Sequence, residues 1–115
     1  MEKQFSLRKN VDFERVYKKS KHYNRDFTVF IKNNGVNRPR FGFSISKKIG
    51  KANQRNKLKR RLRAIVYENY RNINNVDIII IPKQHTTDFT YQKLKSSLGH
   101  VLSKAFKDKK IRYVK

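Results

Sequence analysis

Three histidines, His22, His85 and His100, and eight carboxylates are the side chains with which this chain could move protons or hold a metal ion. Hydrolysis of a phosphate ester by protein groups alone takes paired carboxylates on metal ions, or a histidine acid–base pair. No such spacing occurs. His22 follows the first predicted helix, His85 falls in a turn, and His100 stands in a helix with no carboxylate beside it. The acids are isolated from one another, and there is no glycine-rich loop ending in Lys-Ser or Lys-Thr to cradle a phosphate. The absence of cysteine removes thiolate nucleophiles, disulfides and cysteine metal sites. The histidines therefore read as surface or packing residues, and no catalytic residue, metal site or bound cofactor is assigned to the polypeptide.

Positive charge is concentrated instead. Thirty Lys and Arg stand against eight Asp and Glu, a formal charge of +22 over 115 residues. Such a chain repels itself unless a polyanion neutralises it. No acid lies between Asp26 and Glu68, an interval that holds Lys32, Arg38, Arg40, Lys47, Lys48, Lys51, Arg55, Lys57, Lys59, Arg60, Arg61 and Arg63. Six of these cations fall within Arg55 to Arg63, where their repulsion at i, i+3 and i+4 weakens a helix that an ordinary surface face would relieve with glutamates. A localisation signal or a merely solvated face is the plain alternative for a Lys/Arg run. Apolar residues at helical spacing within the segment oppose it and favour contact with nucleic acid.

The elements that must carry these residues follow from periodicity. Asn10 caps a first helix, Val11 to about Lys19, with Phe13, Val16 and Tyr17 on one face. Phe27 to Lys32 alternates as a strand, with Phe27, Val29 and Ile31 on one side and Thr28, Phe30 and Lys32 on the other. Arg40 to Ser46 repeats the pattern, with Arg40, Gly42 and Ser44 on the polar side. Joined through Asn34-Gly35, the two predict an antiparallel pair with one open basic face. A long helix spans about Asn53 to Tyr70, anchored by Leu58, Leu62, Ile65 and Val66, with Arg55, Lys59 and Arg63 stacked in a ridge. Four consecutive isoleucines within Asp77 to Pro82 predict a central strand covered on both faces. A last helix from about Thr90 to Phe106 carries a continuous stripe of Tyr91, Leu94, Leu98, Val101, Leu102, Ala105 and Phe106, weakened mildly at Gly99. The mixture predicts an α+β sandwich in one domain, 1–115, with 107–115 a fraying basic tail.

Phe30 is an anomaly on that polar face. An exposed aromatic on a basic sheet is a platform for an unpaired base, worth about 1–3 kcal/mol per stacked base; alternatively another helix covers it, and the residues leave both readings open. Phe13 and Tyr17 pose the same question, and taken alone they read as core. The first residues, Met1 to Leu7, lack a secretory apolar run, and Ile78 to Ile81 is far too short to cross a bilayer. The expectation is a cytoplasmic protein with no membrane role.

Phe43-Ser44-Ile45-Ser46-Lys47-Lys48-Ile49-Gly50, followed by Arg55-Asn56-Lys57-Leu58-Lys59-Arg60-Arg61-Leu62-Arg63, resembles the signature of the bacterial ribonuclease P protein subunit. The resemblance extends to Leu7-Arg8-Lys9-Asn10, Asp12-Phe13, Asn24-Arg25 and Asp77 to Pro82, so it covers nearly the whole chain. It implies a mixed four-stranded sheet with flanking helices, similar to ribosomal protein S5 domain 2, with a left-handed βαβ crossover contrary to the usual hand. It implies an accessory subunit of an endoribonuclease, in which a catalytic RNA using Mg2+ removes the 5′ leader of precursor transfer RNA. The partners implied are that RNA and the precursor, with no obligate protein partner. On matching positions, Lys47, Lys48, Arg55, Asn56, Lys57, Lys59, Arg60 and Arg63 become the RNA-contacting set. Phe13, Tyr17, Thr28, Phe30, Arg40 and Ser44 become the leader-facing set, which favours stacking for the three aromatics. Lys51 and Ala64 depart from the family's usual residues at the two ends of the motif. The competing reading is a structural ribosomal protein bound to one folded rRNA site; a free-standing protein nuclease would have to cleave without an RNA partner.

Overall fold

The structure is a computed structural model and describes residues 20–73 and 75–108. The predicted first helix, with Phe13 and Tyr17, and the end of the basic tail lie outside the described residues. Four strands, β1 (Ser20–Tyr23), β2 (Phe27–Asn33), β3 (Arg40–Phe43) and β4 (Val76–Pro82), form one sheet in the order β1-β2-β4-β3. Two helices accompany it, α1 (Ala52–Tyr70) and α2 (Tyr91–Asp108). Short 3-10 turns occupy Lys47–Ile49 and Gln84–Asp88.

β4 is central because its branched side chains leave no polar face to turn to water. It runs antiparallel to β2, Phe30 opposite Ile79, and parallel to β3, Gly42 opposite Ile79. The expected β2–β3 pair therefore does not form, since β4 enters between them and β3–α1–β4 is the parallel crossover unit. A hairpin at Asn34-Gly35 would have left the isoleucine strand at an exposed edge. Asn34 holds the connection open instead. Its Nδ2 donates to Asp77 Oδ1 at 2.7 Å, its Oδ1 accepts from the Val36 N–H at 3.0 Å, and its backbone N–H donates to the Asn75 carbonyl at 2.6 Å.

β1 is a strand that the sequence did not announce. Ser-Lys-His-Tyr is short and carries no apolar alternation, yet all four residues pair with β2, Ser20 opposite Ile31 and Tyr23 opposite Thr28. β3 is shorter than expected, ending at Phe43 rather than Ser46. The Ser44 N–H still reaches the Ile80 carbonyl at 3.0 Å, but the Ser46 hydroxyl accepts from the Lys48 N–H at 3.1 Å and turns the chain out of the ladder.

One face of the sheet, Phe27, Val29, Ile31, Phe41, Ile78 and Ile80, packs with both described helices into the main core. α1 contributes Leu58, Leu62, Ile65, Val66 and Tyr70, the four aliphatics being those the periodicity selects. Burial of each such aliphatic contributes about 1.5–3 kcal/mol, whereas each like-charge pair on the helix surface costs about 0.2–0.5 kcal/mol. Packing therefore holds α1 helical despite its charge. α2 buries Leu94, Leu98, Val101, Leu102, Ala105 and Phe106. Gly99 has a use here: a Cβ at that position would lie 3.2 Å from the Tyr70 hydroxyl, so glycine lets the two helices approach. On the opposite face Ile79 is fully buried, with Phe30 and Ile81 packed against it.

Candidate nucleic-acid interface

Register defines the second face of the sheet, the one turned away from the two described helices. Lys21, Phe30, Ile79 and Gly42 share one transverse row, and Tyr23, Thr28 and Ile81 share the next. Alternation continued one rung past β3 brings Ser44 onto the second row. Lys32, Asp77 and Arg40 form a third. Thr28, Phe30, Arg40 and Ser44, four of the expected leader-facing residues, are thus brought together on one surface, each half-buried. Arg40 is already engaged, because its guanidinium grips Asp77 through two bonds of 2.7 Å. Phe30 rests on an apolar centre rather than among polar groups only.

The row that ends at Ser44 leads directly into the cationic segment. Lys47 and Lys48 are exposed on their turn, which is anchored beneath by buried Ile49. Gly50 closes the turn at φ 149°, ψ −161°, a region essentially restricted to glycine. The Gln54 side chain uses the space, accepting from the Lys51 N–H at 3.1 Å to cap the start of α1.

The buried stripe of α1 divides its cations in two. On one flank Arg61 is committed to the fold, its Nη1 donating to the Phe89 carbonyl at 3.0 Å. On the other, Arg55, Lys59 and Arg63 lie half-buried, one turn apart, while Asn56 and Arg60 are exposed; Lys57, also exposed, stands with Arg61 beside Thr87 and Asp88. Phe43, Ile45, Arg55, Asn56 and Lys59 line a groove of about 270 Å³ between the end of β3 and this flank. Arg55 Nε is buried there with no protein acceptor. Among the described residues no carboxylate pairs with any cation of this flank. A cationic ridge of two guanidinium groups and an ammonium, left unneutralised over an apolar floor, suits phosphate oxygens, which accept charge-assisted bonds, and bases, which cover the floor.

The acids are less isolated than their spacing implied. Asp26 accepts from the Ser97 hydroxyl at 2.5 Å and lies 2.7 Å from His85 Nε2. Serine, aspartate and histidine in contact invite comparison with a nucleophile triad, but here the carboxylate stands in the middle. A triad needs the histidine between, to take the serine proton. The cluster is a latch that ties the β1–β2 turn to α2 and to the Gln84–Asp88 turn. Burial pushes the Asp26 carboxyl up; the hydrogen bonds of Ser97 and His85 and the positive charge of His85 and Lys93 outweigh it, leaving the group below its ordinary value. Among the described residues no group of three or more histidines and carboxylates could hold a metal ion, and no helix is long and apolar enough to cross a membrane.

Sequence reasoning missed two members of the face, Lys21 and Tyr23. Their signal was the pairing of β1, which a four-residue polar strand does not advertise.

A sheet face with an aromatic at its centre, opening at one edge onto a cationic helix that carries no acid before Glu68, defines a nucleic-acid-binding α+β domain. The family described as Ribonuclease P matches residues 1–106. The chain is 44% identical over 107 residues to the ribonuclease P protein component of Finegoldia magna, covering 91% of this chain and 94% of that one. The solved RNase P protein of Staphylococcus aureus superposes with a TM-score of 0.82 at 40% identity, covering 88% of this chain and 94% of the other. That of Thermotoga maritima gives 0.78 at 30% identity, covering 86% and 96%. The chain belongs to the ribonuclease P protein family. Its role is that of the protein subunit of this tRNA-processing ribonucleoprotein, its partner is the ribonuclease P RNA, and nothing favours the ribosomal-protein alternative.

Proposed function

We propose that the protein grips the catalytic RNA with the Lys47–Lys48 turn and the Arg55–Lys59–Arg63 flank of α1, and takes the 5′ leader of precursor transfer RNA across the open face through Thr28, Phe30 and Ser44. The RNA carries the cleavage chemistry, with Mg2+ held at its own active site; the protein lowers the repulsion between two polyanions and tethers the leader, so that precursor outcompetes mature product. A cytoplasmic site of action goes with this reading. The observation that carries it is the continuity of the Ser44 row with a cationic flank that no described carboxylate neutralises. A leader is single-stranded and variable in sequence, so stacking and phosphate contacts suit it better than readout of base edges.

Leader length is the test. Holoenzyme binding should tighten as leader nucleotides are added, and binding by the RNA alone should not; parallel curves would end the tethering idea. Phe30→Ala should weaken precursor and spare mature transfer RNA, with unfolding followed in parallel because Phe30 also packs on Ile79. Reconstitution with the catalytic RNA at low magnesium should restore precursor cleavage, which a ribosomal protein would not do.

A further inference from the structure

Tyr23 is the one large hydrophobic side chain among the described residues that is exposed, at 64%. A single exposed tyrosine is ordinary on a protein surface, and exposure alone assigns it nothing. Its position carries more weight. Tyr23 lies opposite Thr28, at the outer end of the row that runs through Ile81 towards Ser44 and the cationic turn. It is diagonal to Phe30, at a separation of about 7–8 Å in such a sheet. Lys21, opposite Phe30, places its ammonium 5.9 Å from the Tyr23 ring centroid. The outer edge thus repeats in small the chemistry of the centre, an aromatic plane with a cation beside it.

The edge is also held in place. Asn24, next in the chain, accepts from the N–H groups of Asp26 and Phe27 at 2.9 and 2.8 Å, and its Nδ2 donates to the Ser97 carbonyl at 2.9 Å. β1 is therefore pinned at its turn, and a tyrosine with only two side-chain torsions loses little freedom when a ring stacks on it.

We propose that Tyr23, with Lys21, forms an outer stacking subsite for an unpaired RNA base, reached by a strand that has already crossed the sheet from the Ser44 edge. The subsite rests on the leader-binding reading above and extends it by one strand, from β2 to β1. From β3 to β1 is three strand spacings, about 14 Å at ~4.8 Å each, so a short leader stops before Tyr23 and a longer one reaches it. The occupant is a base of any identity, because every base has a face to stack, and Lys21 supplies a counter-charge to its phosphate.

The experiment compares holoenzymes carrying wild-type protein, Tyr23→Ala, Tyr23→Phe and Phe30→Ala, against precursors whose leaders grow one nucleotide at a time, with mature transfer RNA as the control. Tyr23→Ala should match wild type on short leaders and on mature product, then bind about five- to tenfold more weakly once the leader exceeds a threshold length. Tyr23→Phe should keep most of the affinity. Wild-type affinity at every length, in a series where Phe30→Ala loses, overturns the subsite and leaves the leader reading standing. Equal loss on mature and precursor RNA also overturns it, assigning Tyr23 to the fold or to the catalytic RNA. If wild type gains nothing from leader length, the parent reading fails and the subsite with it.

Discussion

Arg40 and Asp77 face each other across β3 and β4 through two parallel hydrogen bonds, Nε to Oδ1 and Nη2 to Oδ2, both 2.7 Å. The partners are unequally buried, the arginine side chain 26% exposed and the aspartate 3%. Removing the arginine strands a buried carboxylate with only the Asn34 amide for support; removing the aspartate strands a guanidinium that water can reach. Arg40→Gln should therefore destabilise by about 3–5 kcal/mol, and Asp77→Asn by less, about 1–3 kcal/mol. Urea unfolding of the two variants measures the asymmetry, and the reverse order would show that Arg40 serves RNA more than the sheet.

Arg61 and Arg63 are two residues apart and opposite in role. Arg61→Ala loses the bond to the Phe89 carbonyl and should cost about 1 kcal/mol of stability, while leaving the salt dependence of RNA binding unchanged. Arg63→Ala should change stability by less than about 0.5 kcal/mol and lower the slope of log affinity against log salt by about 1. Denaturation curves and binding titrations across salt separate them.

Gly50→Ala should be damaging for two independent reasons. The residue sits at φ 149°, and a Cβ would stand 2.1 Å from Gln54 Oε1, the atom that caps the Lys51 N–H. Backbone strain of this kind costs about 1–3 kcal/mol. Adding Gln54→Ala relieves the crowding and not the strain, so the double variant should recover only part of the loss, and RNA affinity should fall with the displaced Lys47–Lys48 turn. Full recovery would locate the effect in the side-chain clash alone.

Acid stability should depend on Asp26. Its carboxyl is lowered in the fold relative to the unfolded chain, so its contribution is complete above the unfolded value and is lost as pH falls through the folded one. Asp26→Asn removes that dependence and should flatten the acid limb of the stability curve while lowering the plateau near neutrality. Unfolding midpoints between pH 2 and 7 show the difference; parallel limbs would mean that other carboxylates govern the acid side.

What the sequence showed was what periodicity can reach. Four isoleucines in a row made β4 central, and Leu58, Leu62, Ile65 and Val66 were recognisable as the anchors of the cationic helix, because apolar burial repeats at fixed intervals. Pairing across distance was hidden. The strands on either side of Asn34-Gly35 read as a hairpin, since the turn signal is local and the competing claim of β4 comes from more than forty residues away. β1 was missed because its order derives from β2 rather than from its own side chains. The Asp26 latch joins residues 59 and 71 positions apart, and no spacing rule foresees that.

Asn24 also has a mechanical consequence. One side chain fastens the tip of the β1–β2 hairpin to the second turn of α2, through the carbonyl and the hydroxyl of Ser97 at 2.9 and 3.2 Å. An edge strand would ordinarily peel away by itself, ahead of the rest of the sheet. Here peeling must also pull on the last helix, so amide hydrogens of β1 and of mid-α2 should exchange with one shared opening energy. The rim of the RNA-binding surface is as rigid as the helix behind it.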